Sequence, residues 1–281
     1  MDNDLNAFLR RTASGLTEVR PNFWCASDVA PVSYPGGAHT ALANVESSSF
    51  WFSHRNRIIS AVVKRFSKTG PLLEIGGGNG FVSLGLQQAG VSTVVVEPGV
   101  DGAAIAAERG LTVVNSAFSD DLFAADSLPA IGLFDVIEHV PNDKEFLIAC
   151  LRALEPGGFV YISVPAQPAL WSADDEYAGH YRRYTRSGLA SVLEVSGFQI
   201  VQVSGFFLLL VLPLLLLRTL PSRFGRRKVT SADQAVTHHK EGLVSRLIGS
   251  LSGFEIGAIS SGYSLPAGTS LIAIARKPQS K

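Results

Sequence analysis

The sequence predicts an α/β protein built on an open, mainly parallel, doubly wound sheet. Short apolar runs alternate with helical patterns along most of the chain, which is typical of the strand and helix units that form such sheets. The first of these runs, Leu72 to Ile75, is followed at once by a glycine-rich turn. A chain of 281 residues can bury one large core and an appendage, so we expect a single α/β unit with insertions.

Hydrophobic periodicity places the elements along the chain. Residues 1 to about 45 follow no period, and helical spacing begins at Ser49. The predicted helices are 49–66, 81–90, 100–111, 144–154, 187–196 and 243–251. The predicted strands are 72–75, 91–97, 111–116, 130–140, 159–164, 197–205 and 269–278.

The stretch from Pro71 to Gly90 forms a strand, a turn and a helix start, and the rest of the chain is organised around it. Glycines in the turn allow a tight bend and let a ligand approach bare backbone. The first amides of the helix favour polar or anionic ligand groups. Glu97 ends the next apolar run, where nucleotide-binding sheets carry an acid that binds ribose hydroxyls. The alternative is an ordinary loop acid.

Four stretches together resemble class I S-adenosylmethionine-dependent methyltransferases, in particular the broad subgroup near the ubiquinone-biosynthesis O-methyltransferases. They are EIGGGNG from Glu74, LFDVIEHV from Leu133, LEPGGFVYISV from Leu154 and HYRRYT from His180. The resemblance covers about residues 50–205. It implies S-adenosylmethionine as cofactor and a Rossmann-like methyltransferase fold, with a seven-stranded sheet in the order 3-2-1-4-5-7-6 and an antiparallel last strand.

The resemblance also implies which residues contact the cofactor. The glycine turn would hold the methionine part, Glu97 the ribose, and Arg55 the methionine carboxylate. A solvated arginine on the helix face is the alternative for Arg55. Ser116 stands where family members usually carry an aspartate for the adenine amino group, so its hydroxyl or the nearby backbone would serve instead. The predicted cofactor-binding residues are Arg55, Glu74, Gly76, Gly78, Gly80, Glu97, Ser116, Ala117, Phe134 and Asp135.

Two histidines are candidates for proton transfer. His180 is the first candidate for general base, because imidazole titrates near neutrality. His139, beyond the fourth strand, either shares that task or braces its loop. Arg182 and Arg183 can pair with a carboxylate or phosphate on the acceptor. The predicted substrate-binding residues are Trp171, Arg182, Arg183 and Tyr184. The alternative for this stretch is a capped, salt-bridged lead-in to the next helix.

A run of twelve residues without a polar side chain, Phe206 to Leu217, stands out in the second half of the chain. As a helix it would span about 18 Å, too short for a hydrocarbon core of about 30 Å, and Pro213 would kink or divide it. Such a run must be buried on every side, in lipid or in protein. Basic residues follow it from Arg218 to Lys228, so shallow insertion at a membrane surface is one reading. A hydrophobic lid or subunit interface is the other.

Composition narrows the functional classes. The 24 basic and 24 acidic residues cancel, so nucleic-acid binding is not expected. Cys25 and Cys150 are too few for a disulfide framework or a zinc site, and His238 and His239 lack companion ligands, so we predict no metal. The N-terminus lacks an apolar core of signal-peptide length. We therefore expect a cytoplasmic protein, with the apolar run as its contact to the inner face of a membrane.

Four parts and one function follow from these patterns. We expect an irregular arm over 1–48, a cofactor-binding core over 49–205, an apolar and basic helical insertion over 206–264, and the last strand with a tail over 265–281. The predicted function is transfer of a methyl group from S-adenosylmethionine to a small or lipid-linked acceptor, with oxygen favoured over carbon or nitrogen as the atom that is methylated. The alternatives are a non-catalytic lipid-binding or scaffold protein on the same fold, and a nicotinamide-dependent oxidoreductase, which shares the glycine turn and the ribose acid.

Overall fold

The computed structural model describes residues 2–26, 43, 46, 49–66, 70–225 and 253–279. The strands in this part of the chain are β1 Leu16–Arg20, β2 Phe23–Ala26, β3 Leu72–Ile75, β4 Thr93–Val96, β5 Thr112–Asn115, β6 Leu128–Phe134, β7 Leu154–Pro165, β8 Gln199–Phe206 and β9 Ser270–Arg276. The helices are α1 Asp2–Thr12, α2 Phe50–Phe66, α3 Phe81–Gln88, α4 Val100–Glu108, α5 Asp143–Ala153, α6 Ala173–Ala178, α7 Arg186–Val195 and α8, residues 253–260. The predicted helix over 243–251 lies outside the described residues.

All nine of these strands form one sheet, in the order β1-β2-β5-β4-β3-β6-β7-β9-β8. Strands β5, β4, β3, β6 and β7 pair in parallel, and β9 runs antiparallel between β7 and β8. Apart from β1 and β2, this is the predicted order with the predicted antiparallel last strand. The predicted α/β fold class is therefore confirmed, with nine strands in place of seven.

Side chains of the central strands alternate between two cores, one on each face of the sheet. Leu73 and Ile162 lie in the core that α1, α5 and α7 cover, whereas Leu72 and Tyr161 lie in the core beneath α2 and α3. Strands that are buried on both faces read as continuous apolar runs, which is the pattern that the sequence shows. This arrangement leaves the carboxyl ends of the parallel strands as the edge where a ligand can bind.

The prediction of an irregular arm over 1–48 is wrong for residues 2–26. Helix α1 buries Leu5, Phe8 and Leu9, which are spaced to share one helix face, against the core. Strand β2 then pairs in parallel with β5, and β1 returns antiparallel on its outer side. The elements are short, and β1 is mostly exposed and partly charged, so their periods are weak in the sequence.

The apolar run starts inside the core and ends on the surface. Phe206 closes β8 and, with Phe207, is buried; the backbone of Phe207 turns at a φ of 59°. Glu255 of α8 fixes this turn by accepting hydrogen bonds from the backbone N–H groups of Phe207 and Leu208, at 3.1 and 2.8 Å. Strand β8 ends at Phe206, one residue beyond the end of the predicted strand 197–205.

Residues 208–223, here called the leucine segment, are helical throughout but change type. A 3₁₀ turn over Leu208–Leu210 and an α turn over Val211–Leu214 precede a π turn over Leu215–Thr219 and an α turn over Leu220–Arg223. The change comes directly after Pro213, which removes one backbone donor from the helix.

The expectation that this run is buried on every side is not met by protein alone in the described structure. Leu212 and Leu217 are 61% and 70% exposed, and Leu208, Leu209 and Leu216 are also exposed. One face of the segment lies on the loop after β7 that holds the predicted substrate-binding residues. There the Thr219 hydroxyl donates to the carbonyl of Leu170 at 3.1 Å. Among the described residues, no helix is long and apolar enough to cross a membrane.

Candidate active site

The glycine turn after β3 has the conformation that its composition requires. Gly76, Gly78 and Gly80 have φ values of 68°, 52° and 70°, a region that residues with a side chain rarely adopt. A Cβ on Gly80 would lie 2.3 Å from a methyl carbon of Leu111, and one on Gly76 would lie 3.0 Å from Val136. Bare backbone is therefore needed both for the turn and for close packing against Leu111 and Val136.

Glu97, at the end of β4, is bound to this loop. Its carboxylate is 4% exposed and accepts hydrogen bonds from the backbone N–H groups of Gly78, at 2.8 Å, and Gly99, at 2.7 Å. Glu97 is thus a buried acid bound to the loop backbone and not a solvated one, whereas its contact with ribose hydroxyls stays a prediction. The acid and the glycine turn form one unit at the carboxyl ends of β3 and β4.

Glu74 lies beneath the loop rather than in it. Its buried carboxyl accepts a hydrogen bond from the backbone N–H of Ser83, at 2.9 Å, at the start of α3. Burial raises the pKa of Glu74 to about 7, against the hydrogen bonds of Ser83 and the charge of Arg55, which lower it. This geometry suits an acid that fixes the strand, loop and helix relative to one another.

Arg55 and Asp135 connect α2 to the end of β6. The guanidinium Nη2 lies 2.8 Å from the Asp135 carboxylate, and the Nε of Arg55 is buried without a hydrogen-bond partner in the described structure. The alternative of a solvated Arg55 is therefore wrong. Asp135 has a φ of 58° and is held by Ser163, whose carbonyl accepts from its N–H and whose hydroxyl donates to its carboxylate. Phe134 packs beside it in the core.

Ser116 lies just beyond β5, on the adenine side predicted by the resemblance. It is buried, and its hydroxyl donates to the carbonyl of Ala117 at 2.9 Å. Because the hydroxyl proton is used within the protein, the oxygen is left to act as an acceptor toward a ligand amino group. The structure is thus compatible with the predicted substitute for the usual aspartate.

The two predicted catalytic histidines meet. His139 closes a 3₁₀ turn over Ile137–His139, and its ring centroid lies 4.7 Å from that of His180 in an edge-on arrangement. Burial, followed by the charge of His180, lowers the pKa of His139 to about 4, so His139 is neutral at pH 7. The backbone N–H of Tyr181 donates to the carbonyl of Glu138 at 2.8 Å, which fixes the two loops together.

Glu138 lies in the same cluster. It is fully buried, and neither carboxyl oxygen has a hydrogen-bond partner in the described structure. Burial, and then the charge of Asp135, raise its pKa well above the usual range. One donor atom from each of Glu138, His139 and His180 lies within 4.8 Å of the others, so the group could hold a metal ion. The absence of a metal in the predicted mechanism stays a prediction.

The predicted substrate-binding residues do not all face this cluster. Arg183 binds Asp175 at 2.7 Å and the carbonyl of Ala166 at 3.1 Å, and Arg182 binds Asp143 at 2.7 Å. These contacts match the alternative given in the sequence analysis, in which this stretch is a salt-bridged connection to the next helix.

Trp171 and Tyr184 also contact protein groups. The Trp171 ring N–H lies 3.4 Å from Glu176, and the buried Tyr184 hydroxyl donates to Asp143 at 2.6 Å. Sequence reasoning did not single out Asp175, although the Ser172–Asp175 spacing is that of a helix capping box.

A doubly wound sheet with a glycine loop and a buried acid at the ends of neighbouring strands defines a nucleotide-cofactor-binding α/β protein. A family model described as a methyltransferase domain matches residues 51–203. An uncharacterised methyltransferase of Mycobacterium tuberculosis is 31% identical over 115 residues, which cover 39% of this chain and 45% of that protein. Ubiquinone biosynthesis O-methyltransferase of Caulobacter vibrioides is 33% identical over 99 residues, which cover 33% of this chain and 39% of that protein.

Solved structures share the fold. Phosphoethanolamine N-methyltransferase 2 of Haemonchus contortus, in complex with S-adenosyl-L-methionine, has a TM-score of 0.53 at 19% identity, covering 86% of this chain and 57% of that one. Because the family model matches more than half of the chain, the chain belongs to the methyltransferase domain family. The predicted methyltransferase class is confirmed by this match. The alignments with the Mycobacterium and Caulobacter proteins cover less than half the length of each.

Proposed function

We propose that this protein transfers a methyl group from S-adenosylmethionine to a hydroxyl oxygen of a small or lipid-linked acceptor. The observation that carries the proposal is the meeting of two features at one sheet edge. The unit of Glu97 and the glycine loop lies at the ends of β3 and β4, and the pair His139 and His180 lies beyond β6 and β7. Arg55 is close to both features, because its charge lowers the pKa of Glu74, beneath the glycine loop, and that of Glu138, beside the histidine pair.

The residues at the cofactor side fit the proposed donor. The glycine loop offers bare backbone for the methionine part, and Glu97 a buried carboxylate for the ribose hydroxyls. The unpartnered Nε of Arg55 can donate to the methionine carboxylate, since that nitrogen is buried and lacks an acceptor. When bound, S-adenosylmethionine supplies a methyl group on a sulfonium, an excellent leaving group, so the protein needs chiefly to align the reactants and exclude water.

The histidine pair supports oxygen as the atom that is methylated. A neutral hydroxyl is a weak nucleophile, and its proton must leave as the new carbon–oxygen bond forms. His180 is the proposed base, and His139, with its pKa near 4, stays neutral beside it. The Caulobacter relative is by name an O-methyltransferase, whereas the Haemonchus structure is by name an N-methyltransferase, so the acceptor atom needs a direct test.

The leucine segment supports a lipid-linked acceptor and a peripheral contact with a membrane. Insertion into the apolar part of a bilayer would remove its exposed leucines from water. This transfer is favourable by about 1.5 to 3 kcal/mol for each leucine that becomes fully buried. Arg218 and Arg223 lie toward its C-terminal end and carry the positive charge that anionic headgroups attract. The segment touches the loop that leads to His180, since Ser222 accepts a hydrogen bond from the N–H of Ala173 at 2.8 Å. A lid or subunit interface is the competing role.

The test is to incubate the purified protein with radiolabelled S-adenosylmethionine and separate lipid and small-molecule fractions of the host. Label in a lipid fraction, released by treatments that cleave ethers or esters but not amines, is the expected result. The variant His180→Ala is expected to lose this transfer by about 10²-fold or more and to keep its affinity for S-adenosylhomocysteine. Cofactor binding without transfer to any fraction would favour the non-catalytic alternative.

A further inference from the structure

One buried carboxylate beside the histidine pair has no role in the function proposed so far. Asp175 is 1% exposed and lies on α6, five residues before His180. Its Oδ1 lies 2.9 Å from Nδ1 of His180 and accepts from Nε of Arg183 at 2.7 Å. Its Oδ2 accepts from the backbone N–H of Ser172, at 2.9 Å, and from the Ser172 hydroxyl, at 3.2 Å. Apart from the His180 nitrogen, this carboxylate therefore has three donors around it.

These donors determine whether the Asp175 carboxyl is ionised. The Arg183 Nε at 2.7 Å, the Ser172 backbone N–H at 2.9 Å and the Ser172 hydroxyl at 3.2 Å all donate to the carboxyl, which favours its ionised form. An ionised carboxylate only accepts hydrogen bonds. The proton between Asp175 and His180 must then lie on Nδ1 of the histidine, which leaves Nε2 as the nitrogen with a lone pair.

We propose that Asp175 is a positioning residue that holds His180 in the Nδ1–H form, so that Nε2 can accept the proton of the acceptor hydroxyl. Arg183 and Ser172 keep the carboxylate in place from its other sides. This inference rests on the proposed function, in which His180 is the base. It also gives Arg183 a role that differs from the predicted contact with substrate.

The step that Asp175 assists conserves atoms and charge. The acceptor oxygen forms a bond to the methyl carbon, and the pair of electrons in the carbon–sulfur bond passes to sulfur. The hydroxyl proton passes to Nε2 of His180, and the imidazolium that forms is stabilised by the adjacent carboxylate of Asp175. The proton then leaves to solvent, and S-adenosylhomocysteine and the methylated acceptor are the products.

Asp175 also caps α6, and a purely structural role must be separated from a positioning role. A capping residue affects folding and does not depend on the presence of His180. A positioning residue acts through His180, so its removal has little further effect once the histidine is gone. Asp174 is the matched control, since it lies in the same helix turn and contacts Arg218, at 4.0 Å, and the Ser172 hydroxyl, at 3.3 Å. Asp174→Asn therefore disturbs the same turn and leaves the Asp175 carboxylate in place.

The experiment compares Asp175→Asn, Asp174→Asn, His180→Gln and the double variant Asp175→Asn/His180→Gln, using the fraction that the wild type labels as acceptor. We expect Asp175→Asn to lower kcat by about 10- to 100-fold with KM for S-adenosylmethionine unchanged. Asp174→Asn should keep wild-type kcat, and the double variant should be no slower than His180→Gln. Full activity of Asp175→Asn, or a further loss in the double variant, would overturn the inference while leaving the methyltransferase function in place.

A second measurement needs no variant that might unfold. Nitrogen-15 correlation spectra of the imidazoles in the wild-type protein report which ring nitrogen of His180 carries hydrogen. We expect the Nδ1–H form at pH 8, and an Nε2–H form would overturn the inference. Loss of transfer on treatment with EDTA would also overturn it, because His180 would then act as a metal ligand. Failure of the wild type to label any fraction would instead remove the proposed function.

Discussion

Replacement of Glu97 by glutamine tests the unit at the centre of the cofactor site. The carboxylate accepts from two glycine amides, that of half-buried Gly78 at 2.8 Å and that of buried Gly99 at 2.7 Å. A glutamine offers one carbonyl oxygen, so its NH₂ group must face one of these donors. An unsatisfied buried donor costs about 1 to 3 kcal/mol, which corresponds to a fall in Tm of about 2 to 10 °C.

The same substitution should weaken the cofactor site. If Glu97 binds the ribose hydroxyls, the loss of its charge costs a further 1 to 3 kcal/mol or so, and the Kd for S-adenosylhomocysteine rises by about 5- to 150-fold. Titration calorimetry measures this directly. Glu108→Gln, an exposed acid on α4, is the control and should change neither value. A lowered Tm with unchanged Kd would refute the reasoning, because Glu97 would then brace the loop without touching the cofactor.

Three further predictions concern packing, pH and the apolar surface. Gly80→Ala should lower the free energy of unfolding by about 2 to 5 kcal/mol in denaturant titrations, because its Cβ would lie 2.3 Å from Leu111. Gly90→Ala is the control: Gly90 has a φ of 87° but nothing within 4 Å of its Cβ position, so the loss should be about 1 to 2 kcal/mol. Equal losses for the two variants would contradict this prediction. The pKa of Glu74 is raised to about 7, so between pH 4.5 and 7 its carboxyl is protonated in the folded protein but ionised in the unfolded chain. The contribution of this proton to the free energy of unfolding is therefore lost as the pH rises from 4.5 to 7. The unfolding free energy of wild type relative to Glu74→Gln should thus fall by up to about 3 kcal/mol from pH 4 to pH 8, and a flat difference would be evidence against it. Leu212→Ser/Leu217→Ser should reduce partitioning to anionic liposomes in flotation assays by about 10²-fold, whereas Val195→Ser, also exposed, should not; unchanged flotation would favour the lid or interface role.

The part of the fold that the sequence predicts well is the part with continuous apolar runs and glycine punctuation. Strands β3 to β7 are buried on both faces, so each shows as a run of apolar residues, and Gly76 to Gly80 mark the turn between β3 and α3. Strands β1 and β2 escape prediction because they have only five and four residues, and because β2 joins the sheet through β5, which is distant in the chain. A local pattern does not contain that pairing.

The site divides in a similar way. Sheet topology brings His139 and His180 together, since residues beyond the ends of neighbouring strands share one edge, and this much follows from the sequence. The partners of Arg182 and Arg183 do not follow, because the choice between a ligand and Asp143 or Asp175 depends on distances of a few ångströms between side chains. A charged loop reads the same in the sequence whether its charges face one another or a substrate.

The place of β9 between β7 and β8 has a consequence for folding during synthesis. Translation delivers β8 and then the leucine segment before the chain that must lie beside β8 exists, since β8 pairs with β9 and not with β7. The nascent chain therefore presents an unpaired strand edge and a row of leucines together, which are the features that chaperones and aggregating neighbours recognise. Completion of the sheet waits until β9 has emerged from the ribosome.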